Sequence, residues 1–522
     1  MRFSISIASL LLVPVAYSAG NDVARIGGEY AKTLLGDGTG VIVGIIDSGV
    51  DDTHPALAGF TSTGLPRMKA EANFVPSEPN NTGDDVFGHG TAVAGAILSR
   101  DSTNFAVATD ARYVNARVID SNNVFDSDSQ VLDGVGFALQ QGSNILNTSL
   151  GYFNYGTSGD TPLALMADYV VSKLGIPVVV SAGNAGEAPN PNTSAPSPKP
   201  QGPGDACNVF SVGATDSSYG KMAGFSSYGP TTDGRLKPDI SAPGENVITA
   251  NSNWETQSTF VAWSGTSLAA PNVTGILAAQ MEYGRAHGLS IDPRVLKATL
   301  LNSAEKVRDR DNQVWAPNNS TTIGGLLTTA SPLDNNSGAG QVNALALCKT
   351  YSAGRQGPGL VSAVGWDFHN LETLTYLEYQ LGTLRDGSEL TATLNWNREV
   401  NWIDNGNRLI DGADTFSPDG AFENLDLSIF RNGLLLAQST STVDSVEQLY
   451  LSSITQGDYV VRVSYVSGDS ASVDYGLAWS GAAIPEPSTI ILLLSGGCAL
   501  CLVRYVSFNG RAPKRDPFRS GV

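Results

Sequence analysis

Three residue types in this chain match the needs of nucleophilic hydrolysis: a serine, a histidine and an aspartate. Ser267 lies in the run Ser-Gly-Thr-Ser-Leu-Ala-Ala-Pro, which opens a long apolar stretch with helical character. A serine in the first turn of a helix lies beside unpaired backbone N–H groups and the positive end of the helix dipole. Those donors can stabilise the oxyanion that forms when the hydroxyl attacks a carbonyl. Taken alone, such a serine is more often a helix N-cap, so it needs partners.

A serine nucleophile needs a base, and the chain has 4 histidines. His89 lies in Phe-Gly-His-Gly-Thr-Ala-Val-Ala-Gly, where glycines permit close approach of a substrate or another backbone. His54 follows the first predicted strand and is the competing candidate. His287 ends a predicted helix, and His369 leads into a different region. The sequence favours His89 and leaves His54 open.

The base needs an acid that orients it. Asp47 directly follows the apolar run 41–46, which has the character of a strand buried on both faces. In open α/β sheets, sites form beyond the carboxyl ends of strands. Turn formation is the alternative role for an aspartate. Asp51 and Asp52 are weaker candidates because they lie further into the loop.

The surrounding elements must bring these three residues together. Apolar strand-like runs alternate with helix-like stretches, which predicts a doubly wound, mostly parallel α/β sheet over residues 19–350. The strand-like runs are 41–46, 113–119, 145–150, 176–180 and 209–212, and the helix-like stretches are 91–98, 131–140, 162–173, 267–287 and 293–303.

The chain then changes character. From about residue 360, apolar and polar residues alternate in short runs that turn signals such as Asn432-Gly433 separate. This pattern predicts a small antiparallel β-sandwich domain, which we place at 351–481.

Both ends have the character of targeting segments. A basic start, a short apolar core and small residues near position 18 predict a signal peptide over 1–18. The tail 482–522 contains Pro485-Glu486-Pro487, an apolar stretch and then arginines and lysines. We expect a short transmembrane segment at 489–506, with the basic flank on the cytoplasmic side.

Composition excludes several protein classes. The 522 residues include 31 basic and 50 acidic side chains, giving a net charge of -19. No basic stripe precedes residue 504, so nucleic acid is not an expected partner.

Cys207 and Cys348 are predicted either to form a disulfide or to be two buried free thiols. No Cys/His spacing is typical of a zinc site, and we assign no metal ligand.

The blocks Asp47-Ser48-Gly49, His89-Gly90-Thr91 and Gly265 to Pro271 resemble the signatures of subtilisin-like serine proteases and occur in that family's order. The resemblance covers about residues 22–346. It implies an Asp47, His89, Ser267 triad acting through an acyl-enzyme, with Asn184 as an oxyanion donor. It further implies a substrate pocket lined by Ser149, Leu150, Gly151, Ala182 and Gly183. Calcium is common in the family, but the loop 99–106 offers only Asp101 and Asn104 as obvious ligands.

The sequence departs from the family in two places. Leu268 stands where bacterial relatives often carry Met, and a leucine cannot form a sulfoxide, so resistance to peroxide is expected. About thirty residues separate the signal from Asp47, and the first strand needs those residues. We therefore expect no room for the N-terminal chaperone segment with which many relatives fold.

The tail resembles the PEP-CTERM sorting signal of Gram-negative bacteria. That resemblance implies cleavage by an exosortase-type partner after transient anchoring in the membrane, and a final place in the cell envelope or outside the cell. Residues 380–480 resemble the pre-peptidase C-terminal type of β-sandwich. We expect an exported serine endopeptidase that acts on proteins or peptides; the alternative is a catalytically silent surface protein that binds through its sandwich.

Overall fold

A computed structural model describes residues 22–79, 82–152, 158–186, 199–218, 220–309, 311–317 and 320–483. The predicted signal peptide, the residues Pro485, Glu486 and Pro487, and the predicted span 489–506 lie outside the described residues. Inside these ranges, no helix is both long and apolar enough to cross a membrane.

The helices lie mostly in the first two thirds of the chain. They are α1 (Asp22–Arg25), α2 (Gly28–Leu34), α3 (His89–Leu98), α4 (Asp128–Gln140), α5 (Pro162–Leu174), α6 (Thr266–His287), α7 (Pro293–Asn302) and α8 (Ala344–Ser352).

The strands fall into an earlier and a later group. The earlier ones are β1 (Ile42–Asp47), β2 (Met68–Asn73), β3 (Arg112–Arg117), β4 (Ile145–Thr148), β5 (Val178–Ser181), β6 (Phe210–Thr215), β7 (Ile240–Pro243), β8 (Val247–Ala250), β9 (Phe260–Trp263), β10 (Ser320–Ile323) and β11 (Leu326–Thr329). The later ones are β12 (Gly359–Leu360), β13 (Val364–Glu372), β14 (Tyr376–Leu384), β15 (Leu390–Trp396), β16 (Val400–Ile403), β17 (Thr415–Pro418), β18 (Asn424–Arg431), β19 (Leu434–Ser439), β20 (Val446–Leu451), β21 (Gly457–Ser467) and β22 (Ser472–Ser480).

The first seven strands form one 7-stranded sheet in the order β2-β3-β1-β4-β5-β6-β7. Every neighbouring pair in this sheet is parallel. The predicted doubly wound, mostly parallel sheet is confirmed. The carboxyl ends of β1 and β4 therefore meet at the same edge, where Asp47 is the last residue of β1.

Helices cover both faces of this sheet, which explains why its strands are apolar throughout. Val43 and Ile45 of β1 face the core that contains α3 and α6. Ile46 faces the second core, which contains α4 and α5. Since α6 lies buried along most of its length, its first turn is held rigidly beside the carboxyl ends of the strands.

The later strands form a 4-stranded sheet in the order β13-β22-β15-β20 and a 7-stranded sheet in the order β10-β11-β19-β18-β21-β14-β12. A shared apolar core, with Trp396 and Trp479 fully buried, lies between them and makes a sandwich. Most pairs are antiparallel, as predicted, but β11 runs parallel to β19 and β12 runs parallel to β14. The hairpin β10–β11 thus joins the sandwich although it precedes the predicted boundary at 351.

The sandwich packs closely on the α/β unit. Helix α7 contacts β15 and β22, and the β16–β17 hairpin contacts α5. Arg398 donates a 2.6 Å hydrogen bond to the fully buried carboxylate of Asp168 in α5. The rings of Trp402 and Phe416 each lie 5.6 Å from that of Tyr169. The two units therefore share buried contacts rather than a flexible linker.

Candidate active site

Asp47 and His89 form a hydrogen-bonded pair at the carboxyl edge of the sheet. Nδ1 of His89 lies 2.7 Å from Oδ1 of Asp47, which also accepts a 2.8 Å hydrogen bond from the backbone N–H of Ser48. Asp47 is fully buried, and His89 is only 8% exposed. Because the carboxylate accepts a hydrogen bond from Nδ1–H, the tautomer that leaves Nε2 as an acceptor is favoured.

Glycines on either side of His89 permit this approach. Gly88 precedes α3 with a φ of 102°, in the left-handed region that favours glycine. A Cβ at Gly90 would lie 2.0 Å from the carbonyl oxygen of Gly49, so only glycine fits there. The backbone that follows β1 therefore contacts the first turn of α3, and His89 is the first residue of that helix.

Two aromatic rings flank the imidazole. Trp263 packs edge-on at a centroid distance of 5.9 Å, and Phe87 lies 6.5 Å away. Burial alone would lower the pKa of His89, but the charge and hydrogen bond of Asp47, aided by the charge of Asp85, outweigh it. The pKa of His89 therefore lies above its ordinary value.

Ser267 is the second residue of α6. Its hydroxyl donates a 3.2 Å hydrogen bond to the carbonyl oxygen of Ser149, and the hydroxyl of Ser149 donates to the carbonyl of Ser267 at 3.0 Å. No hydrogen bond joins Ser267 to His89 among the contacts of the described chain. Both side chains nevertheless line one cavity of about 460 Å³.

Asn184 follows β5 and lines the same cavity. Its Oδ1 accepts hydrogen bonds from the backbone N–H of Thr266 at 2.8 Å and from the Thr266 hydroxyl at 2.9 Å. That hydroxyl also accepts a 3.1 Å bond from the N–H of Gly183. With Oδ1 held this way, the amide orientation is fixed and Nδ2 remains as a donor. The N–H of Ser267 has no hydrogen-bond partner within the described residues.

The predicted pocket residues lie mostly in the cavity wall. Ser149, Leu150, Gly151 and Gly183 line it. Ala182 does not: it is fully buried, and its N–H donates to the carbonyl of Val212 in β6. Residues that the sequence did not assign to the pocket also contribute, namely Phe87, Ile119, Asn123, Val124, Phe125, Tyr152, Ser181, Gln201, Trp263, Ser264, Gly265 and Leu268.

His54, the alternative base, lies in a different environment. Its Nε2 lies 2.9 Å from the carbonyl oxygen of Thr259, and its Nδ1 accepts a 3.1 Å bond from the N–H of Ala56. The ring is fully buried between Trp254 and Phe260. Both ring nitrogens are therefore used in holding the loop together, and His54 is a structural residue.

The structure also bears on the loop with the two possible calcium ligands and on the two predicted states of the cysteines. Asp101 accepts hydrogen bonds from the N–H groups of Thr103 and Asn104, which makes a turn. Across the described residues, no cluster of three or more His, Cys, Asp or Glu side chains could hold a metal ion. Cys207 and Cys348 are buried free thiols, which decides between the two predicted states.

Two residues near the pair had no sequence signal strong enough to identify them. Asp85 appears in the sequence as one of two adjacent acids in a loop, yet its carboxylate bonds to the residue beside Asp47 and to the start of α3. Trp263 is separated from Ser267 by only three residues, and an aromatic residue so near a nucleophile motif is the one available hint.

Comparison with known proteins identifies the family of this chain. The model of the subtilase family matches residues 38–340, which is more than half of the 522-residue chain. Thermitase of Thermoactinomyces vulgaris is 32% identical over 276 residues, or 52% of this chain and 84% of thermitase. Subtilisin DY of Bacillus licheniformis is 33% identical over 243 residues, or 46% of this chain and 76% of that protein. The solved structure of a cold adapted subtilisin-like serine proteinase is 26% identical in sequence, with a TM-score of 0.40. The match covers 53% of this chain and 88% of the proteinase chain. The chain belongs to the subtilase family and is a subtilisin-like serine endopeptidase.

Proposed function

We propose that this enzyme hydrolyses peptide bonds with Ser267 as nucleophile, His89 as general base and Asp47 as the acid that orients the base. One observation carries the proposal. The imidazole that bonds to buried Asp47 at 2.7 Å lines the same cavity as a serine in the first turn of α6. Nucleophile, base and acid thus converge from three separate elements, which is the arrangement that acyl transfer requires.

The proton path follows from the hydrogen bonds. Asp47 accepts a hydrogen bond from Nδ1–H of His89, so the lone pair on Nε2 is left to take the proton of Ser267. In the present state the Ser267 hydroxyl donates to the carbonyl of Ser149. A rotation about the Cα–Cβ bond must first turn the hydroxyl toward His89. Catalytic hydrogen bonds of this kind often form only when substrate is bound.

The reaction then proceeds in two balanced halves. Oγ of Ser267 bonds to the peptide carbonyl carbon as its proton passes to Nε2 of His89, and the carbonyl oxygen becomes an oxyanion. Collapse breaks the C–N bond, and the leaving amine takes the proton from His89. Water then attacks the carbonyl carbon of the ester while His89 takes one of its protons. The bond between that carbon and Oγ breaks, Oγ takes the proton back from His89, and Ser267 is released.

Two donors support an oxyanion site. Nδ2 of Asn184 is available because Thr266 holds the other end of the amide. The N–H of Ser267 lies at the positive end of α6, where backbone donors are unsatisfied. Donors of this kind act on charge that develops only in the transition state, so they lower the barrier rather than tighten substrate binding.

The cavity wall favours neutral side chains in the substrate. Within the described lining there is no carboxylate, ammonium or guanidinium group. Ser149, Leu150 and Gly151 directly follow β4 and offer backbone groups to an extended peptide. A charged side chain that entered would lose water without gaining a counter-ion. We therefore propose that the residue before the scissile bond is uncharged.

An active-site serine probe tests the assignment directly. Wild-type enzyme should bind a fluorophosphonate covalently and hydrolyse casein, whereas Ser267→Ala should do neither. Ser320→Ala is the matched control because Ser320 is exposed on β10 of the sandwich. Labelling that persists in Ser267→Ala would refute the nucleophile. A folded wild type with no label and no hydrolysis would favour the silent, surface-binding alternative.

Export and sorting remain proposals that rest on sequence. The signal 1–18, the Pro485-Glu486-Pro487 run and the span 489–506 support an exported protein, transiently anchored and released by an exosortase-type enzyme to the envelope or medium of a Gram-negative cell. Mass analysis of the secreted protein should find both termini shortened. A chain lacking 485–522 should leave the membrane fraction. An intact tail on the mature protein would contradict exosortase cleavage. Dialysis against a chelator followed by thermal unfolding tests for bound calcium, which would show as a lowered unfolding midpoint.

A further inference from the structure

The loop before α3 contains a carboxylate that no part of the proposed mechanism uses. Asp85 is partly buried and directs both its oxygens at protein donors. Oδ1 accepts from the N–H of Gly88 at 2.7 Å and from the N–H of Phe87 at 3.2 Å. Oδ2 accepts from the N–H of Thr91 at 2.7 Å. Asp85 thereby caps α3, whose N-cap residue Gly88 makes no side-chain cap hydrogen bond.

The same carboxylate also reaches the strand that ends in Asp47. The hydroxyl of Ser48 donates to Oδ1 of Asp85 at 2.9 Å and accepts from the N–H of Gly90 at 2.9 Å. Ser48 directly follows Asp47, and Gly90 directly follows His89. Asp85 and Ser48 therefore join the backbone on one side of the Asp47–His89 bond to the backbone on the other.

We propose that Asp85 is a positioning residue that holds the start of α3 against the end of β1 and so fixes the Asp47–His89 hydrogen bond. This inference rests on the proposed function of that pair. Asp85 touches neither the substrate cavity nor the reacting atoms, so it acts through Ser48 and the helix terminus. Its negative charge is also well placed, since it lies at the positive end of the helix.

Asp85 has a second, electrostatic effect on His89. Its charge adds to that of Asp47 in raising the pKa of the imidazole. The other groups packed against the ring, Phe87 and Trp263, are uncharged aromatics. Loss of the Asp85 charge should thus lower the pKa of His89.

The test uses Asp85→Asn in the full chain. The amide keeps the size of the carboxylate but replaces one acceptor oxygen with a donor that faces N–H groups. Asp84→Asn is the matched control, because Asp84 is the exposed neighbour that accepts only from Thr82 in the described contacts. We expect kcat per titrated active site to fall about tenfold or more with KM unchanged, as misplaced catalytic groups do. The acidic limb of kcat/KM should move down by roughly half a pH unit.

A histidine NMR titration keeps this test separate from the activity. His89 is assigned by its absence in His89→Ala, and its pKa and Nδ1–H exchange are compared in the wild type, Asp85→Asn and Asp84→Asn. A lower pKa and faster exchange in Asp85→Asn alone support positioning even if the enzyme proved silent, in which case only the proposed function fails. If Asp85→Asn leaves pKa, exchange and kcat per active site unchanged, or reduces only the number of active sites, the proposal is overturned. If it unfolds, Asp85→Glu must restore the wild-type acidic limb.

Discussion

Replacing Thr266 with valine probes the proposed oxyanion site without touching any atom that contacts substrate in the mechanism. The substitution keeps the shape of the side chain and removes only its hydroxyl. That hydroxyl donates to Oδ1 of Asn184 at 2.9 Å and accepts from the N–H of Gly183 at 3.1 Å. The backbone N–H of Thr266 would still hold the amide through its 2.8 Å bond. The variant therefore loosens the Asn184 amide without releasing it.

The expected magnitude follows from these contacts. A buried hydrogen bond between neutral groups contributes about 0.5–1.5 kcal/mol. If that loss appears fully in the transition state, kcat falls about 2- to 13-fold, since about 1.4 kcal/mol corresponds to a factor of ten. KM should change little, because the proposed role of Asn184 is to bind charge that is absent from the bound substrate. Removing the donor in Asn184→Ala should cost more, about 10²–10³ in kcat, the size known for the equivalent loss in a subtilisin.

The assay is steady-state hydrolysis of a peptide anilide, corrected for active sites by titration. Thr321→Val, on an exposed strand of the sandwich hairpin, is the matched control and should leave kcat unchanged. A double-mutant cycle gives the decisive comparison. Thr266→Val should have almost no further effect once Asn184 is alanine. An equal loss in both backgrounds would refute the idea that Thr266 acts through Asn184.

Three further predictions concern pH, stability and oxidation. Since Asp47 raises the pKa of His89, and the proposed base must be neutral to accept a proton, kcat/KM should fall on acidification at a higher pH than the ordinary histidine value of about 6.5; a midpoint below that value would contradict the charge pairing. Arg398→Met should lower the free energy of unfolding by about 3–5 kcal/mol, because it leaves a buried aspartate unpaired, whereas Arg408→Met, at an exposed arginine, should not shift the denaturant midpoint. Leu268 lines the cavity and cannot be oxidised, so peroxide should spare the wild type and inactivate Leu268→Met; rapid loss of wild-type activity would contradict this.

Much of the α/β unit could be predicted because its signals are local. The apolar run 41–46 predicted a buried strand, and β1 is Ile42–Asp47 with Asp47 at its end. The helix-like stretch 267–287 appears as α6, Thr266–His287. In each case a continuous apolar pattern reports burial, and burial on both faces of a parallel sheet requires that pattern.

The contacts that complete the site could not be predicted from the sequence, because they depend on tertiary structure. Nothing local distinguishes Asp85 from its neighbour Asp84, and only the fold places one of them on Ser48. His54 and His89 were separable in sequence only by their glycines, whereas their hydrogen bonds distinguish them at once. Likewise, the hairpin β10–β11 pairs with β19 about 110 residues later, a register that no short pattern encodes.

The shared contacts between the two units argue against a chain that can be cut at the predicted boundary near 350. Truncation there would leave the buried Asp168 carboxylate without Arg398 and expose the face of Tyr169 that packs on Trp402. It would also uncover α7, which packs against two strands of the sandwich. An unpaired buried charge and a newly exposed apolar face both destabilise the fold. We therefore expect a chain ending at 350 to aggregate or to lose activity at a lower temperature than the full chain. A soluble truncated enzyme with the wild-type midpoint would show instead that the sandwich is an independent module.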